Sequence, residues 1–205
     1  MQTQLKTVLV TVGAGVLLSG LVGAAFVYSG AFNVAADVPH SAPMLALMNA
    51  TRDRSVEVRS RGIQVPKLDD PRLLLKGAGL YAEMCTACHL APGMANSELR
   101  PGLYPRPQNF SKARVGAGEA FWTIKHGLKM SAMPAWGSHH NDEDIWSMVA
   151  FVQKLPDMTP EQYRDIVAKA PKDDDMAPSA PLKDQPMKGM DMSKPMQHDG
   201  TPHSH

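Results

Sequence analysis

Cys85-Thr86-Ala87-Cys88-His89 is a C-x-x-C-H run, and it constrains this chain more than any other feature. Two thiols three positions apart can each add to one vinyl group of a single porphyrin, and the next imidazole then lies under the iron. A fold built around such a run must open a cleft for a planar macrocycle. The chain has 205 residues and two cysteines, both in this motif, so none is left for a structural disulfide. The same spacing occurs in redox CxxC pairs and in half of a zinc site. A thioredoxin-like pair wants a βαβ context, and none is visible here. A closed zinc site wants four ligands, and no second Cys/His pair follows at finger spacing. The motif therefore predicts covalent attachment of one haem c through Cys85 and Cys88, with His89 as an iron ligand.

The N-terminus speaks to the compartment. Lys6 is the first charge, and none follows from Val8 to Ala36. A membrane-spanning helix needs about 20 mainly apolar residues, and Val8 to Tyr28 supplies 21 positions. Small residues recur along it, among them Gly13, Gly20 and Gly23, as in many membrane helices. A cleavable signal ending near Ala35-Ala36 is the competing reading, but the apolar run is long for one. Residues 1–36 are read as an uncleaved anchor. Lys6 places the short end in the cytoplasm by the positive-inside rule. Arg52, Arg54, Arg59 and Arg61 argue the other way by short-loop counting, but a C-x-x-C-H domain must be exported to receive its haem. The expected location is the inner (cytoplasmic) membrane, single-pass, with the haem domain on the periplasmic or extracytoplasmic side. The formal net charge of +1 gives no basis for nucleic-acid binding.

Three further regions follow. Residues 37–69 form a connector, with a helix over Pro43 to Arg61 whose second half is charged. That half reads as a solvated face with internal ion pairs, or as a basic juxtamembrane segment near lipid headgroups. Residues 70–156 form the haem domain. Asp70-Pro71 caps a first helix running to about Met84. Residues 94–115, rich in Pro and Gly, are mostly loop. A short helix spans Gly118 to His126 and ends at Gly127. Asn141 caps a last helix with acids in its first turn, and Pro156 stops it. Residues 157–205 are a flexible tail.

These pieces resemble the class I c-type cytochromes over residues 70–156: a helix leading into C-x-x-C-H, a Met-Pro loop, and a final helix ending in Leu155-Pro156. The resemblance implies an all-α haem domain, to which the apolar run adds one N-terminal transmembrane helix and the composition of residues 171–205 a disordered C-terminal tail. It implies that first and last helices cross, with Gly77 and Tyr81 facing Met148 and Phe151. It matches Gly127-Leu-Lys-Met-Ser131-Ala-Met133-Pro134 to the family's distal-ligand pattern, so Met133 is implied as the second iron ligand. Core filling is the alternative role for Met133. Met130 is its nearest competitor, while His126, His139 and His140 would give bis-His ligation. His126 instead suits a helix C-terminus, and His139 and His140 are expected to be exposed. The resemblance also implies that the Pro92 carbonyl accepts a hydrogen bond from His89. Trp122, Trp136, Arg100 and Arg106 are candidates to lie near a haem propionate.

His/Met ligation leaves no open iron position, which suits electron transfer rather than oxygen activation. The expected function is thus a membrane-tethered monohaem carrier of single electrons between redox protein partners. It is not itself an enzyme, though it could be a subunit of an oxidoreductase complex. The tail adds a second reading. Met187, Met190, Met192, Met196, His198, His203 and His205 crowd its end, and thioethers with imidazoles favour copper. Copper handling with a linked haem step is the alternative function, and a bland solubilising tail the alternative for the segment itself.

Overall fold

The computed structural model describes residues 2–171. Among the described residues, seven α-helices run in order: α1 (Gln2–Ser29), α2 (Ala42–Ser60), α3 (Pro71–Met84), α4 (Thr86–His89), α5 (Ala117–His126), α6 (Asp142–Lys154) and α7 (Pro160–Lys169). Single 3-10 turns sit at Arg100–Gly102, Trp136–Ser138 and Leu155–Asp157. The described residues contain no strand. The helix α1 is long and apolar enough to cross a membrane. Its 28 residues extend about 42 Å at 1.5 Å per residue, against about 30 Å of hydrocarbon.

The helices α3 and α6 cross at Gly77. A Cβ added there would lie 2.0 Å from the Ser147 carbonyl oxygen and 3.0 Å from the Phe151 Cβ. Only glycine permits that approach. One turn on, the rings of Tyr81 and Phe151 meet at 5.5 Å. Leu80, Tyr81, Ile145, Met148, Val149, Phe151 and Leu155 around the crossing are fully buried. The expected partners Met148 and Phe151 are thus both in the core, and the Ser147 backbone makes the closest approach.

Both helices start where their side chains cap them. The Asp70 carboxylate accepts the Arg72 amide at 2.8 Å. Asn141 and Asp144 form a reciprocal capping box, with Asp144 N–H donating to Asn141 Oδ1 at 3.0 Å. Asp144 also accepts from Lys76 Nζ at 2.6 Å, tying α6 to α3. That bond is the main reason the Lys76 ammonium is held above its ordinary range.

The flexible tail expected from residue 157 begins too early. Thr159 caps α7, and the Gln162 side chain closes a capping box by accepting the Thr159 amide at 2.9 Å. Tyr163 is buried. Its ring lies 6.1 Å from Phe151 and its hydroxyl 3.0 Å from that of Thr86. This burial orders α7 against α3 and the C-x-x-C-H turn. The copper-ligand candidates Met187 to His205 lie outside the described residues.

Two outcomes follow from this packing. Gly77→Ala forces the crossing open, so urea unfolding should show a loss of about 2 kcal/mol or more, in the range of overpacked cores. Tyr163→Phe removes one hydroxyl pair and should cost about 1 kcal/mol, read as a lower midpoint at unchanged slope.

Candidate haem site

α3 delivers the C-x-x-C-H run as it ends. The Cys85 amide still donates to Tyr81 at 3.0 Å, and the His89 amide donates back to Cys85 at 2.8 Å, closing the single turn α4. Leu90 then turns the chain away at φ 63°, held by a 2.6 Å bond from the Tyr81 hydroxyl to its carbonyl. The turn leaves Cys85, Cys88 and His89 on the wall of one cleft of about 690 Å³. That volume suits a prosthetic group, within the roughly 300–1,000 Å³ of ligand pockets.

The electrostatics match the chemistry. Burial, with a smaller push from Cys88, raises the Cys85 thiol to about 12. A redox CxxC nucleophile needs the opposite shift. Burial is also the largest influence on His89 and lowers its pKa, the Gln108 carbonyl opposing it and Arg100 adding to it. A neutral imidazole is the form that ligates metal. Its Nδ1 lies 2.8 Å from the Gln108 carbonyl, which leaves Nε2 with its lone pair available. Phe110 stacks on the ring at 4.4 Å and 11°.

The partner of Nδ1 corrects the expectation of the Pro92 carbonyl. Pro92 follows the Leu90 turn, which leads the chain away, while the loop carrying Pro105 and Pro107 returns over the ring. No periodicity marks Gln108 and Phe110. The prolines nevertheless forecast extended backbone there, whose carbonyls are free to accept.

The opposite loop is set by Gly127, at φ 66°. A Cβ there would lie 2.7 Å from the Met133 carbonyl oxygen and 2.8 Å from the Ala135 nitrogen. The Leu128 amide donates to the Met133 carbonyl at 3.1 Å. The Ser131 hydroxyl donates to the Leu128 carbonyl at 2.8 Å and accepts the Met133 amide at 3.2 Å. Glycine and serine thus fold the loop so that Met133 lines the cleft with His89.

The competitors lie elsewhere. Met130 is 92% exposed. His126 and His139 are exposed, and His126 packs on Trp122 at 5.0 Å. His140, expected to be exposed, is 15% exposed at its side chain and sits 3.8 Å from Asp144. Its ring faces Trp136 at 5.9 Å, because the 3-10 turn folds it back on α6. None of these histidines lines the cleft. Of the residues implied near a propionate, Arg106 and Trp136 line it, whereas Arg100 and Trp122 do not. Arg100 donates to the Pro107 carbonyl at 3.0 Å and so braces the His89 loop. Its Nε is buried without an acceptor.

An all-helical domain that gathers two thiols, an imidazole and a thioether around one cleft is a c-type cytochrome domain. The family model described as cytochrome C oxidase, cbb3-type, subunit III matches residues 72–152, from the first turn of α3 into the last turn of α6. A search of the curated proteins finds no match. A domain of this type carries covalently bound haem c, and the cleft fits that group by its size and its donor set.

Ser131→Ala unties the loop from both neighbours. The expected result is a loss of about 1 kcal/mol in denaturant unfolding of the haem-loaded protein.

Proposed function

We propose that the chain is a membrane-tethered carrier of single electrons whose haem iron is held by His89 and Met133. One observation carries this reading: Cys85, Cys88, His89 and Met133 line the same cleft, while Met130 and the nearby histidines do not. Bound haem c supplies a one-electron ferric–ferrous couple. The protein does the rest. Cys85 and Cys88 tether the group, so it is not lost when it changes charge. His89 offers Nε2 because Gln108 holds the other nitrogen. Met133 offers a soft thioether, which favours the ferrous state relative to histidine alone. Ala120, Ile124, Leu128 and Val152 give the cleft an apolar interior, which limits water around the changing charge.

With His89 and Met133 both given to the iron, the site would suit electron transfer to and from redox protein partners and would offer no place for a substrate. The helix α1 serves as the membrane anchor, with the haem domain on the extracytoplasmic side where c-type haem is attached. Tethering keeps the domain at high effective concentration beside membrane partners, including an oxidoreductase complex of which it could form part.

Carbon monoxide tests the ligation. The reduced full-length protein should keep its absorption spectrum under carbon monoxide, and so should Met130→Ala. Met133→Ala should shift promptly as its sixth position opens. A prompt shift in the unaltered protein, or a closed site in Met133→Ala, would contradict the reading.

A further inference from the structure

We propose that Arg52, on the connector helix α2, binds a carboxylate of the haem, an inference that rests on the haem-carrier reading above. The connector lies outside the matched family region, which begins at residue 72. Nevertheless it is built into the haem domain at both ends. Before α2, the His40 amide donates to the Tyr104 hydroxyl at 3.1 Å, and the two rings meet edge to face at 5.4 Å. At its end, α2 presses on α5: a Cβ added to Gly118 would lie 3.5 Å from the Ser60 carbonyl oxygen. Between these two fixings, Arg52, Asp53 and Val56 form part of the wall of the cleft that holds His89 and Met133.

Charge then selects Arg52. Among the described residues, the arginines on the cleft wall are Arg52, Arg106 and Arg114, and the wall carries no lysine. Arg114 bonds Asp157 at 2.5 Å in a pair as exposed as that of Arg52, at 63% and 61%, but one that ties the loop before α5 to the turn after α6 and so fixes where Arg114 points. Among the described residues, Arg52 is held only by its sequence neighbour Asp53 at 2.7 Å, with side chains 40% and 66% exposed. Such a pair is worth little in water, and successive helix residues do not face each other well. A haem brings two carboxylates into a low-dielectric cleft, where each needs a cation or a hydrogen-bond donor. Arg106 and Arg52 are the two wall arginines left to meet them. An arginine fork matches a carboxylate in two parallel bonds and stays charged at any working pH.

The test is the reduction potential of the full-length, haem-loaded protein. Ferric iron carries one more positive charge than ferrous, so a nearby cation favours the ferrous state. Arg52→Gln should shift the ferric–ferrous equilibrium toward ferric on the order of threefold to tenfold, for one charge at an effective dielectric of about 20. That is a fall of about 30–60 mV. Arg52→Lys should restore most of the shift. Asp53→Asn, which removes an acid from the same wall, should move the potential the other way. Arg59→Gln, on the same helix but off the cleft wall, should leave it unchanged. A lower melting point with an unchanged potential in Arg52→Gln overturns the proposal, as does an equal shift in Arg59→Gln. Carbon monoxide is added to each variant in parallel. A site closed in the unaltered protein with no Arg52 effect sinks only this inference, whereas an open site in the unaltered protein sinks the carrier reading beneath it.

Discussion

The crossing of α3 and α6 at Gly77 sets the position of the C-x-x-C-H turn on the haem cleft. The Ser147 carbonyl fills the space a side chain would take, so the helices lock at one distance and one register. From that register Tyr81 reaches both Phe151 and the Leu90 carbonyl. The second contact fixes the turn after His89, and with it the direction in which the imidazole faces. A shift of α3 along α6 would move the two thiols and the imidazole together. The turn is therefore positioned by backbone packing outside the walls of the cleft.

The two candidate iron ligands are fixed by different devices. His89 is held through its ring, by Gln108 and Phe110 from a proline-rich loop. Met133 is held through its backbone, by Gly127, Leu128 and Ser131. A ring with two distinct nitrogens needs a partner to choose which one faces the metal. A thioether has no such choice and needs only placement. Arg100 ties the first device together, because the carbonyl it holds lies one residue before Gln108. The connector closes the same cleft from a part of the chain that precedes the cytochrome domain. A segment that reads as a spacer between membrane and domain is thereby part of the haem environment.

Where the signal is local, the chain announces its structure. Asp70-Pro71, Asn141 and Gly127 are caps that act within a few residues, and each sits where the sequence puts it. The C-x-x-C-H run and the Met-Pro loop are equally local, and both line the cleft. The helix α7 was legible too, since Thr159-Pro-Glu-Gln162 is a capping-box spacing before an apolar Tyr163. Composition alone placed it in the tail. The burial of His140 is local as well, between Trp136 and Asp144 four residues to either side. Gln108 and Arg52 are different. Each depends on a loop or helix returning from a distance in sequence, and no spacing within the chain encodes that return.

Proton NMR of the ferrous full-length protein tests the central claim most directly. A methionine bound to haem iron holds its methyl group over the macrocycle, where the ring current shields it. The account predicts one strongly upfield methionine methyl resonance, present in Met130→Ala and absent in Met133→Ala. No upfield methyl, or one that disappears with Met130 instead, would contradict His89/Met133 ligation and the closed electron-carrying site built on it.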